Sequence, residues 1–188
     1  YYGSTATATF DIIKASSGIK IGVEDVYKVG EKIEITLTPT NSTGTVVVTI
    51  NGEVKDVNDN KVIIADGLAA GTYTIVANLT GDDNYMASYN YTVFRVDKND
   101  LTITVGDTAN IVVGTPATFT ATLSDSVTGD VIFTINDANY TVHVSDANVA
   151  EFIYTPVDNT TLTVVATFAG NDKYNGKSSE QKQFNVRS

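Results

Sequence analysis

The chain has one histidine and no cysteine among 188 residues, which narrows its chemistry before any fold is considered. His143 lies in Tyr140-Thr-Val-His-Val-Ser145 and alternates away from Val142 and Val144. As a general base it would need a nucleophile and an orienting acid from separate elements. Ser145 and Asp146 sit too close along the same stretch to build that geometry. One His without Cys does not supply the three or four ligands of a zinc site. No Gly-rich turn opens a helix, so there is no phosphate cradle. No catalytic or cofactor-binding residue, and no cofactor, is expected.

Oxygen ligands are more plentiful. Asp82-Asp83-Asn84 and Asn58-Asp59-Asn60 concentrate side-chain oxygens, and calcium takes six to eight of them. Asp82 and Asp83 are therefore the candidate calcium ligands. The same residue types also form turns through their own side-chain hydrogen bonds. The second copy of the motif reads Asn171-Asp172-Lys173, with a cation where the first has Asn84. Five Asn-X-Ser/Thr triplets start at Asn41, Asn78, Asn90, Asn139 and Asn159, each a possible glycan acceptor in an exported chain. Asn41 and Asn159, in expected loops, are the best placed. Tyr85 and Tyr174 occupy matching positions and are candidates either to plug the end of a domain or to stack on sugars. Lys20 and Lys32, or Gln181 and Gln183, are the residues through which a Lys–Asn or Thr–Gln cross-link could form.

Charge excludes other partners. Twelve Lys and Arg face 22 Asp and Glu, a net charge of −10. Nucleic acid and anionic membrane surfaces demand the opposite sign. The apolar run at Lys61-Val-Ile-Ile-Ala65 is far short of the roughly 20 residues that span a bilayer. The chain starts at Tyr1 without a leader and reads as a piece of something longer.

Elements able to position these residues are strands. Thr is the most frequent of the β-favouring types, at 28 copies, and Thr, Val, Ile and Tyr suit a pleated, half-buried surface. Ile33, Ile35 and Leu37 alternate with Lys32, Glu34 and Thr36; Phe119, Ala121 and Leu123 alternate with Thr118, Thr120 and Thr122. That is the pattern of an antiparallel sheet with one wet face. Seven strands are expected in the first repeat, near 19–23, 32–38, 45–50, 53–57, 61–65, 72–80 and 89–96. Asn51-Gly52 between two of them predicts a tight hairpin with both central φ angles positive.

The chain repeats itself. Gly44-Thr-Val-Val-Val-Thr-Ile-Asn51 returns as Gly129-Asp-Val-Ile-Phe-Thr-Ile-Asn136, and Thr74-Ile-Val-Ala-Asn-Leu-Thr-Gly81 as Thr163-Val-Val-Ala-Thr-Phe-Ala-Gly170. Phe94-Arg-Val96 returns as Phe184-Asn-Val186, and both resemble Phe10-Asp-Ile12. The expected division is 1–16, the last strand of an upstream repeat with its joint; 17–98, the first full repeat; and 99–188, the second. Deleting residues 1–16 should then leave both repeats' melting nearly unchanged.

Gly71-Thr-Tyr-Thr-Ile-Val-Ala-Asn-Leu-Thr-Gly-Asp-Asp-Asn-Tyr85 resembles the signature of bacterial and archaeal immunoglobulin-like repeats of large surface proteins. Its style is nearest to adhesin-like proteins of methanogenic archaea. Tyr73, two residues before the inward Ile75, is similar to the corner tyrosine of that fold, whose hydroxyl fixes the preceding corner; Leu162 takes its place in the second repeat. The resemblance implies an all-β protein of two tandem immunoglobulin-like antiparallel sandwiches in an extended arrangement, extracellular and without catalysis. It implies a stalk or spacer of a cell-surface adhesin, with neighbouring repeats as its contacts. Cell-surface or cell-wall glycans, or a partner cell, would be reached through the parent protein. The alternative is a module that binds carbohydrate or cell wall directly.

Overall fold

The structure, a computed structural model, describes residues 1–188. It is all-β and divides into two compact units, Tyr1–Asp97 and Lys98–Ser188. The first unit contains β1 (Gly18–Gly22), β2 (Val26–Lys28), β3 (Ile33–Thr40), β4 (Val46–Ile50), β5 (Glu53–Lys55), β6 (Lys61–Ile64), β7 (Gly71–Leu79) and β8 (Ser88–Asp97). β1, β3 and β6 form one sheet; β2, β8, β7, β4 and β5 form the other. This is an immunoglobulin-like sandwich. Ile33, Ile35 and Leu37 from the first sheet share one core with Val48, Ile50, Ile75, Ala77, Leu79, Phe94 and Val96 from the second. Each of these side chains except Ala77 contributes about 1.5–3 kcal/mol by leaving water. No polar or charged residue is buried.

The alternating segments became strands because each period-two run has one apolar face to hide. Asn51 and Gly52 turn the β4–β5 hairpin with φ of 49° and 84°. β2 does not appear among the seven strands expected from sequence. It is only three residues long, and it runs parallel to β8, pairing Tyr27 with Val96.

The second unit contains β9 (Ile103–Val105), β10 (Ala117–Ile135), β11 (Ala138–Tyr154), β12 (Leu162–Phe168), β13 (Lys177–Ser178) and β14 (Lys182–Phe184). Here one six-stranded sheet supplies the whole sandwich. β10 covers in a single strand what β3 and β4 cover in two. It bends at register shifts between Thr122 and Val127 and between Val127 and Gly129. Phe119, Ala121 and Leu123 before the bend, and Val131, Phe133 and Ile135 after it, share one core. The difference is local chemistry. In the first unit Pro39 lacks an N–H and Asn41 takes φ of 58°, so the strand stops. The second unit has Leu123 and Asp125 there, and the ladder runs on through bulges.

Residues 1–14 form no strand and are exposed throughout. Phe10 and Ile12 are 83% and 88% exposed, whereas Phe94 and Val96, at matching positions of the first repeat, are 1% and 3%. Ala15 bridges in parallel to Tyr85, its N–H donating to the Asn84 carbonyl at 2.8 Å while its carbonyl accepts from Met86 at 2.9 Å. Lys14 donates to the Asp82 carbonyl at 2.6 Å, and the Ser17 hydroxyl to the Met86 carbonyl. From Lys14 onward, the residues expected to be a joint are thus hydrogen-bonded to the first sandwich.

Candidate functional site

The Asp82–Tyr85 loop follows β7 and is held by its own side chain. Asp82 Oδ1 accepts from the N–H groups of Asn84 and Tyr85, both at 2.9 Å. Oδ2 accepts from the Thr43 N–H at 3.1 Å and from the hydroxyls of Ser42 at 3.2 Å and Thr43 at 3.4 Å. These donors, the Asn84 N–H foremost, hold the carboxyl below its usual range. A calcium ion would have to displace them. In the second unit the neutral Asn171 plays the same part, its Oδ1 accepting from Lys173 and Tyr174 at 2.8 Å. The shared geometry is a side-chain-capped turn, and charge at its first position is dispensable. Asp83 projects into solvent beside it.

Tyr85 and Tyr174 follow these caps and are half-buried, Tyr174 packing on its unit's core. Tyr73 donates its hydroxyl to the Ala69 carbonyl at 2.7 Å and stacks on Phe94 with centroids 5.4 Å apart. Leu162 in its place is simply buried.

His143 Nδ1 lies 2.7 Å from Asp130 Oδ1. The two residues face each other across the β10–β11 register and both are more than half exposed, the setting of a solvated cross-strand pair. Lys20 and Lys32 are exposed, and Glu34, 3.7 Å from Lys32, is 2.8 Å from Lys61. An amine must lose its proton to attack an amide, which burial promotes and solvent opposes. Gln181 and Gln183 are likewise exposed. A surface cleft of about 360 Å³ in the second unit is lined by Ser126, Thr128, Asp146, Asn171 and Lys173. Its polar groups are bonded to one another, Ser126 to Asp146 at 3.3 Å and Asn171 to the Thr128 carbonyl at 2.9 Å.

The largest departure from the sequence reading is the outer face of the five-stranded sheet. Core-facing Ile75, Ala77, Phe94 and Val96 fix the parity, so Val76, Asn78, Tyr89, Tyr91 and Val93 point outward. One cross-strand row runs Val47, Asn78, Tyr89; the next runs Val54, Thr49, Val76, Tyr91. Tyr89 is 70% and Tyr91 64% exposed. In a chain of net charge −10, neither row contains a charged residue. Apart from Tyr1, Tyr2 and Phe10 in the segment before β1, the exposed rings of this unit are therefore Tyr89 and Tyr91, while Tyr85 is half-covered. Two residues apart on one strand, Tyr89 and Tyr91 share a face; only the pairing with β7 shows which.

Of the glycan acceptors, Asn41 and Asn159 lie in exposed loops. Asn90 donates Nδ2 to the Ile19 carbonyl at 3.0 Å, and Asn139 accepts from the Thr134 hydroxyl at 2.8 Å. Asn78 stands on the outer face.

No family model matches the chain, and no curated protein matches it in sequence. Among solved structures it is similar to one described under structural insight into host cell surface retention of a 1.5-MDa bacterial ice-binding adhesin. The identity is 18%, over 94% of this chain and 67% of that one, with a TM-score of 0.43. It is also similar to the central fibronectin-III array of RIM-binding protein, at 11% identity over 90% of this chain and 68% of that one, with a TM-score of 0.35. Both scores lie under 0.5, so neither likeness carries an argument about what this chain does.

Proposed function

We propose that the chain is a pair of structural spacer repeats of an extracellular, cell-surface adhesin, non-catalytic, projecting a binding region that lies elsewhere in the parent protein. One observation carries this reading. Lys14 and Lys98 each donate an ammonium to the first carbonyl of the capped loop, Asp82 or Asn171, at 2.6 Å. Ala15 and Asn99 each bridge to the tyrosine that ends it. The contact by which the chain enters a sandwich is thus repeated, while the surface chemistry differs between repeats. Residues 1–13, with Phe10 and Ile12 where Phe94 and Val96 are buried, are in this reading the last strand of a preceding sandwich.

The second reading is direct carbohydrate or cell-wall binding, favoured by the exposed Tyr89 and Tyr91. Incubating the chain with intact cells and insoluble cell-wall polysaccharides separates the two. The spacer reading expects no saturable binding, with or without calcium. Saturable binding lost in Tyr91→Ala would overturn it in favour of the second.

A further inference from the structure

The two uncharged rows on the outer face of the first sandwich are left exposed; Arg95 and Asp97 lie farther along the same face of β8. Exposed apolar patches of this kind on soluble domains mark contact sites, and here two tyrosines, Val47, Val54 and Val93 are all at least 39% exposed. The chain supplies a candidate cover itself. Asn78-Leu79-Thr80 is an acceptor triplet. Asn78 lies on that face, directly opposite Tyr89 in the β7–β8 register and directly opposite Val47 in the β4–β7 register. Leu79 between them is buried.

We propose that Asn78 is an N-glycosylation site and that Tyr89 is the platform on which its first sugar lies. A directly opposed pair places Cβ atoms about 4.5–5.5 Å apart, so a pyranose ring linked to Asn78 Nδ2 reaches the phenol ring of Tyr89. The faces of sugar rings are lined by C–H groups, and an exposed tyrosine offers an apolar face with a polar edge. The glycan would cover the two rows, which are uncharged and open to water in the bare chain.

The other strand triplets are poorly arranged for this. Asn90 would have to give up its bond to Ile19, and it faces Ala77. Asn139 faces Thr134 and already accepts its hydroxyl. The second sandwich is instructive at the matching place. Thr167 and Ser178 face each other there, their hydroxyls 2.9 Å apart. Acceptor and aromatic platform are both missing from the second repeat, replaced by a pair that satisfies itself.

Attachment needs a lipid-phosphate-linked saccharide and a membrane transferase. Nδ2 attacks C1 of the sugar, forming the N–C bond. The C1–O bond breaks with its electron pair leaving on the phosphate, and the amide proton passes to a base of the transferase. The inference assumes the export on which the spacer reading also relies. Its test forces export, so the two can fail separately.

The full chain is secreted from a eukaryotic host and also made in the bacterial cytosol, with and without Asn78→Gln, in the wild-type, Tyr89→Ala and Tyr89→Phe backgrounds. Glycopeptide mass spectrometry reads occupancy at each Asn. We expect Asn78 to be occupied. In secreted protein, Asn78→Gln should lower the melting of the first unit by about 3–6 °C, a typical shift for one aromatic contact in a domain this size. In cytosolic protein it should change nothing. The secreted-protein shift should vanish in Tyr89→Ala and persist in Tyr89→Phe. An unoccupied Asn78 beside an occupied Asn41 or Asn159 overturns the site. A shift unchanged by Tyr89→Ala overturns the platform.

Discussion

The ammonium of Lys98 lies 2.6 Å from the backbone carbonyl of Asn171, and that carbonyl belongs to the residue whose side chain caps the following turn. Lys14 stands in the same relation to Asp82. A carbonyl at the start of a tight turn has an open lone pair, and a charged donor fills it at modest entropic cost because the lysine backbone is already pinned by the next residue. A charge-assisted bond of this kind contributes about 0.5–1.5 kcal/mol when partly solvated. Lys98→Met should lower the second unit's stability by that amount, and Lys14→Met should lower the first by less, since its bond is more exposed. Chemical denaturation resolving the two units checks both. Equal melting of Lys98→Met and wild type would mean the bond is incidental.

The turn chemistry gives a pH prediction. Asp82 is held below its ordinary value of 3.8 by the backbone N–H groups of Asn84 and Thr43. A carboxyl lowered in the folded state contributes stability that is fully present above its unfolded value. That contribution is lost as pH falls through the folded value. Asp82→Asn keeps one acceptor oxygen and removes the titration. Its melting temperature should lie below wild type at pH 7, with the gap narrowing once pH drops under 3.8. Melting curves of both proteins from pH 7 to pH 2 check it, and a gap independent of pH would contradict it.

How much of this was legible in the sequence depended on whether a feature was local. The alternation of Ile33, Ile35 and Leu37 marks a strand because burial has period two, and β3 is there. Asn51-Gly52 marks its turn because few residues accept two positive φ angles. β2 was invisible because three residues carry no period, and its partner, β8, is distant in sequence. The fusion of β10 across the region where β3 and β4 are separate depended on Pro39 being absent from the second repeat, a difference visible only once the ladder is seen to continue. For the candidate sites, sequence shows the oxygens of the Asp82 cluster but not the N–H and O–H groups from which the Asp82 carboxylate accepts. The Asn78–Tyr89 pairing was hidden because register between β7 and β8 cannot be counted along the chain.

The two-residue turns of the matching hairpins differ at one position, and that difference should be measurable. Asn136 and Asp137 turn β10 into β11 with φ of 45° and 69°, where the first unit has Asn51 and Gly52 at 49° and 84°. Asp tolerates the left-handed region at a cost that Gly avoids. Asp137→Gly should stabilise the second unit by about 0.5–1 kcal/mol, and Gly52→Ala should destabilise the first by about 1 kcal/mol or more. Urea midpoints for each unit give the comparison.

Tyr73 uses its hydroxyl on the Ala69 carbonyl and its ring on Phe94. Tyr73→Phe removes only the first, so the expected loss is about 0.5–1.5 kcal/mol. Tyr73→Leu copies the second repeat's Leu162 and removes both, for a loss larger by the aromatic contact, about 0.5–1.5 kcal/mol more. Thermal melting that ranks the two variants equally would show that the corner bond, not the stacking, carries the effect.

The N-terminal segment offers the cleanest test of where the first sandwich begins. Residues 1–13 expose Phe10, Ile12 and Ile13 and lie outside every strand, so removing them should change the first unit's stability by less than about 0.5 kcal/mol. Removing residues 1–16 also removes the Lys14 bond and both Ala15 backbone bonds to the Asn84–Met86 segment. At about 1 kcal/mol for each buried or pinned bond, and less for the exposed one, the longer deletion should cost about 1–3 kcal/mol. The two truncations, melted side by side, place the boundary between residues 13 and 17. A loss already present in the shorter deletion would mean that residues 1–13 pack on this sandwich and are not the final strand of another.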